Sequence, residues 1–116
     1  MAFGTVDRRP VVASASYDNT VRLWDPATRK PVGEPLTGHT NPVTSVAFGT
    51  VDDRTMVASA SADNTVRLWE PNTRKQIGEP LTGHTDWVRS VAFGTVNGQT
   101  MLAAAISPRI VLYSFI

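Results

Sequence analysis

The chain has 116 residues, of which 41% are hydrophobic and 18% charged, with a net charge of +1, two histidines and no cysteine. This composition belongs to a folded domain of ordinary size rather than to a disordered segment, and a charge so near zero provides no basic face for nucleic acid. Without cysteine there is no disulfide framework, and two histidines among scattered carboxylates give no cluster at metal-ligand spacing, so neither a metal nor a cofactor is expected.

The first residues, Met-Ala-Phe-Gly-Thr-Val, read as neither a signal peptide nor a membrane span, and the expected compartment is the cytoplasm, with no membrane partner. AFGTV at 2–6 recurs at 47–51 and 92–96, ASAS at 13–16 recurs at 58–61, DNTVRLW at 18–24 recurs at 63–69, and GEPLTGHT at 33–40 recurs at 78–85. The period is therefore 45 residues, and the first two copies match without a gap at 34 of 45 positions. Fixed periods of this size mark units that bury their apolar faces by stacking on neighbouring copies.

Within one copy the apolar pattern is that of strands. Val43 to Phe48, Met56 to Ser61, Thr65 to Trp69 and Gln76 to Leu81 are short runs rich in β-branched and aromatic residues, divided by turn-forming clusters. Asp18-Asn19, Asp63-Asn64 and Asn97-Gly98 are suited to tight antiparallel turns. Pro31, Pro35 and Pro80 fall in the fourth run, where a residue that cannot donate to a ladder is tolerated as an edge. The prediction is an all-β chain of four-stranded antiparallel meanders, with units at residues 1–40, 41–85 and 86–116.

LTGHT at 36–40 and 81–85, each followed by VTSVAFG or VRSVAFG and, in the second copy, by VASAS, a turn Asp and TVRLWE at 65–70, has the Gly-His to Trp-Asp spacing of the WD-repeat β-propeller family, which the chain resembles over essentially its whole length. The resemblance implies blades of four-stranded sheets around a central channel, about three per chain. It also implies a structural tetrad in the second copy, formed by His39, Ser59, Asp63 and Trp69, with Ser61 as the alternative serine. The first copy keeps Ser14, Asp18 and Trp24. In the third, a gapless alignment pairs His84 with Ala104, Pro108 and Ser114. Ser, His and Asp also invite a nucleophilic-triad reading, but no Gly-x-Ser-x-Gly elbow is present, and no enzyme activity is expected.

The frame of the repeats leads to an expectation about assembly. About two and three-quarter blades are too few for a disc, so either the chain is a piece of a longer array, without a function of its own, or it closes by association with itself, two copies being favoured over three because six blades make a disc of familiar size. The closing run IVLYSFI is apolar throughout, like a strand covered on both faces, which makes Ile110, Leu112, Tyr113, Phe115 and Ile116 candidate interface residues. Differences between the near-identical copies single out a rim: Tyr17, Asn41 and Pro42, then Asp86, Trp87 and Arg89. The resemblance implies a scaffold for an unknown protein or peptide at such a rim; a small-ligand or carbohydrate-binding propeller is the alternative.

Overall fold

The computed structural model describes residues 1–82, 84, 86–106 and 109–115. Among these residues, eleven strands form three antiparallel sheets. The first contains β1 (Ala2–Val6), β2 (Arg9–Ala15), β3 (Val21–Asp25) and β4 (Lys30–Pro31); the second contains β5 (Val43–Val51), β6 (Arg54–Ser61), β7 (Val66–Glu70) and β8 (Lys75–Gln76). The third contains β9 (Ser90–Val96), β10 (Gln99–Ile106) and β11 (Arg109–Ser114). Each sheet is a meander in sequence order, the all-β architecture of propeller blades, and three such blades do not close on themselves. No helix among the described residues is long and apolar enough to cross a membrane.

Two-residue turns join the first two strands of every sheet, and Asp7-Arg8, Asp52-Asp53 and Asn97-Gly98 all carry positive φ. This geometry matches the right-handed twist of the strands it connects. The turns at Asp18-Asn19 and Asp63-Asn64 hold by side-chain capping: Asp63 Oδ1 accepts from the Thr65 amide at 3.0 Å, and Asp18 Oδ1 from the Thr20 amide at 3.1 Å.

The fourth strand is shorter than the sequence predicts. Only Lys75 and Gln76 pair regularly with β7, and Leu81 returns through a single bridge to Val66. Pro80 and the positive-φ Gly78 interrupt the ladder between those points. Leu36 and Val21 form the same bridge in the first sheet.

The register of the third sheet corrects the gapless alignment. In the second sheet Val57 faces Trp69, whereas in the third the equivalent Leu102 faces Tyr113, not Ser114. Two residues lie between Ile106 and Arg109 where three lie between Ser61 and Thr65, so β11 advances by one position. Since side chains alternate between faces, this single deletion exchanges the faces of every residue in β11 relative to the gapless prediction. It sends Val111 and Tyr113 toward the second blade and leaves Ile110 and Leu112 on the open side.

Two apolar clusters fasten the blades side by side. Val11, Ala13, Val21 and Leu23 of the first blade pack against Val43, Val46, Val57 and Trp69 of the second. From the other face of the second blade, Ala58, Ala60 and Val66 pack against Val88, Val91, Leu102, Ala104 and Ile106. The small side chains from Ala58 to Ser61 in β6 follow from this position, because that strand is covered on both faces and all four are buried.

At each junction an aromatic ring of one blade lies over a glycine of the blade before it. A Cβ placed on Gly4 would sit 2.3 Å from the Phe48 ring, and one on Gly49 would sit 2.3 Å from the Phe93 ring. Both positions therefore require the bare backbone. Hydroxyls add to the contacts: Thr55 donates to the Thr5 carbonyl at 3.1 Å and Thr100 to the Thr50 carbonyl at 2.8 Å.

Candidate functional site

The candidate residues form two groups, a buried polar chain inside the second blade and an exposed rim where the blades meet. The buried chain starts from the loop before β5, which carries His39 across the ends of β6 and β7. Its imidazole lies between Asp63 and Ser59: Nδ1 is 2.9 Å from Asp63 Oδ2 and Nε2 is 2.6 Å from Ser59 Oγ. The Trp69 indole N–H donates to the same Ser59 Oγ at 2.9 Å. One proton assignment satisfies every group: Trp69 donates to Ser59, Ser59 donates to Nε2, and the Nδ1–H donates to the carboxylate. Asp63 Oδ2 also accepts from the Thr40 amide at 3.1 Å, which fixes the loop as well as the ring.

This arrangement lacks the exposed serine that nucleophilic catalysis requires. Ser59 is fully buried, its oxygen already engaged by an indole donor, and no reactant reaches it. The alternative serine, Ser61, does different work: its Oγ donates toward the carbonyls of Asn41 and Pro42, at 3.1 and 3.0 Å, and accepts from the Asp63 amide at 3.0 Å. Among the described residues no group of three His, Cys, Asp or Glu side chains is placed to hold a metal ion.

Burial draws the His39 imidazole below its usual value of 6.5, against the opposing hydrogen bond to Asp63. For Asp63, burial pushes the carboxyl up, but hydrogen bonds from Thr65, His39 and the Thr40 amide outweigh it and hold the group below 3.8. Burial also lowers His84, aided by Arg109. A histidine with a depressed folded value takes up its proton more readily when unfolded, so its stabilisation is complete above pH 6.5 and declines as pH falls through that value. The Asp63 contribution is present above 3.8 and is lost only below it. Thermal unfolding followed at pH 7.5 and 5.5 is therefore expected to show a lower midpoint at 5.5, and substituting both histidines with Gln should flatten the difference; an unchanged slope in that double variant would show that the imidazoles are not its source.

The first and third blades keep parts of this set. Trp24 donates to Ser14 at 2.9 Å, while Asp18 Oδ2, at the position that meets the imidazole in the second blade, accepts from Arg22 at 2.9 Å. Hydrogen bonds from Thr20, Arg22 and Ser16 hold the Asp18 carboxyl well below the carboxylate range. In the third blade the Tyr113 hydroxyl and His84 Nε2 share a hydrogen bond of 2.5 Å, and the rings meet edge to face. Tyr113 thus occupies the cross-strand place of Trp69 and reaches the histidine directly, with Ala104 in the serine's place. A one-residue gap before β11 aligns IVLYS with VRLWE and reveals this residue in the sequence; the gapless alignment conceals it. Pro108 lies outside the described residues.

The candidate interface residues divide between the two faces of β11. Ile110 and Leu112 are 69% and 58% exposed on the open side. Tyr113 and Phe115 turn inward, Phe115 stacking on Phe93 with ring centroids 6.1 Å apart. Ile116 lies outside the described residues.

The rim residues gather along one edge. The Ser16 carbonyl, next to Tyr17, accepts from the Val43 amide, the Pro42 carbonyl accepts from the Ala62 amide, and the Ser61 carbonyl accepts from the Val88 amide. These bonds place Tyr17 beside Asn41 and Pro42, and the Asp63 turn beside Asp86 and Trp87. Tyr17 is 92% and Trp87 50% exposed, with the Arg89 guanidinium 5.5 Å from the Trp87 ring centre. A crevice of about 370 Å³ opens between Tyr17, Val43 and Thr44.

The family model described as "WD domain, G-beta repeat" matches residues 5–25 and 29–70, more than half of the chain. No curated protein matches it.

Proposed function

The chain belongs to the WD-repeat family, and from that membership we propose that it is a non-catalytic scaffold which binds a protein or peptide along the rim bearing Tyr17, Asn41, Pro42, Asp86, Trp87 and Arg89. Repeats of this family generally mediate protein–protein association. The observation that carries the choice of rim is the pair of large aromatic side chains, Tyr17 and Trp87, held in solvent by loops that are themselves fixed through backbone bonds at successive blade junctions. Exposed aromatics on a rigid frame supply contact area with little loss of conformational freedom, and Arg89 over the indole adds a donor at the same place. The histidine, serine and aspartate are committed to the blade interior and take no part.

The same scaffold is proposed to complete its ring by association, since its terminal blades each leave one sheet face open. A random peptide library selected on the immobilised chain tests the rim. Selected peptides should bind the Trp87→Ala and Tyr17→Ala variants about tenfold more weakly or worse, while Lys75→Ala, elsewhere on the blade, leaves affinity unchanged. Binding to a glycan panel with no peptide selected would replace this reading with the carbohydrate-binding one.

A further inference from the structure

We infer that the open face of the third blade binds the open face of the first blade of a second copy of this chain, with Phe3 of that copy seated over Gly94. The inference rests on reading the chain as a scaffold that completes its ring by association, and it identifies the partner and the register.

The three blades make one kind of junction twice. Phe48 covers Gly4 and Phe93 covers Gly49, in each case so closely that a Cβ on the glycine would lie 2.3 Å from the ring. Rings and glycines both recur every 45 residues, so the next pair in the series is Phe3 with Gly94, and each lacks its partner. Phe3 is 74% exposed, and nothing lies within 4 Å of a Cβ built on Gly94. This repeated contact thus leaves one half at each end of the arc.

The surrounding surfaces agree with this register. Where the second blade presents Ala58, Ala60 and Val66 to the third, the third presents Ala103, Ala105 and Ile110 to solvent or to partial cover. The first blade carries Val12 and Trp24 beside Phe3, as the second carries Val57 and Trp69 beside Phe48. One contact is lost: Pro10 stands where Thr55 and Thr100 donate across the junction, so no hydroxyl reaches the Thr95 carbonyl. The two faces differ from each other, so the contact is head to tail. Three blades are too few to bring a chain's own ends together, and two copies supply six, within the range of closed propellers.

Sedimentation velocity across a concentration series, on the wild-type chain, Phe3→Arg, Gly94→Val and an equimolar mixture of the two variants, tests the inference. The wild type is expected at twice 12.6 kDa. Each variant alone should associate at least about tenfold more weakly, since a side chain at Gly94 overpacks the ring and a guanidinium at position 3 cannot be seated dry. The mixture should regain a one-to-one pair weaker than wild type, because one intact junction remains available. Both substitutions lie on faces open in the single chain, so unfolding midpoints measured under dilution should match that of equally diluted wild type, which separates lost association from lost folding. A monomeric wild type, a variant that keeps the wild-type mass, or a mixture that fails to pair overturns the inference. Peptide binding dependent on Trp87 in a monomeric chain would leave the rim reading standing, so the two fail separately.

Discussion

Phe in place of Trp69 should lower the unfolding midpoint further than Phe in place of Trp24, by about 1–3 kcal/mol of stability, or roughly 5–15 °C for a chain of this size. Both indoles donate to a serine at 2.9 Å, so the bond alone does not distinguish them. What differs is the surroundings. Ser59 is fully buried and passes its own proton to His39, which is held by Asp63, so removing the indole donor strands a polar atom that water cannot reach and leaves a void beside Val57. Ser14 is only half-buried and no imidazole leans on it, so water replaces the lost donor. Equal losses for the two variants would contradict the assignment of an integral four-residue chain to the second blade alone.

Alanine at Gly49 is expected to cost a comparable amount despite its size. A single methyl there meets the Phe93 ring at 2.3 Å, and that ring is itself fixed by Phe115 stacked on it, so the third blade must shift as a unit. Overpacking of this kind costs about 1–3 kcal/mol. If the ring is the cause, the cost should vanish once Phe93 is cut to Ala, where alanine in a strand is no worse than glycine. Chemical denaturation of the four members of that double-mutant cycle should give a coupling of about 1–3 kcal/mol; additive losses would show that the glycine serves some other purpose.

Much of this architecture was legible in the residues because the repeat states each rule twice. The 45-residue period, the period-two apolar runs and the turn pairs predict three antiparallel sheets, and the proline positions predict that the fourth strand is the edge. The extent of that strand was not legible: Gly78 and Pro80 reduce it to Lys75–Gln76 and a bridge at Leu81, since backbone pairing stops wherever a donor or an extended φ is missing. The gapless alignment fails in the third blade for a different reason. A one-residue deletion in a turn carries no hydrophobic signature of its own, yet it inverts the faces of the strand that follows. For this reason Tyr113, which resembles an interface residue in a continuous apolar run, is the partner of His84 instead. The Phe-on-glycine contacts were present in the sequence as AFG three times over, but only the packing shows that the ring of one copy falls on the glycine of the copy before it.

The three tryptophans offer the most direct measurement, because each stands in a different environment that nuclear magnetic resonance resolves. The indole N–H of Trp69, buried and bonded to Ser59, should exchange with solvent deuterium more slowly than that of Trp87 by orders of magnitude, close to the rate set by global unfolding. The Trp87 indole, half exposed on the rim, should exchange within the dead time of the experiment. Comparable rates at the two positions would contradict both the buried polar chain and the open rim.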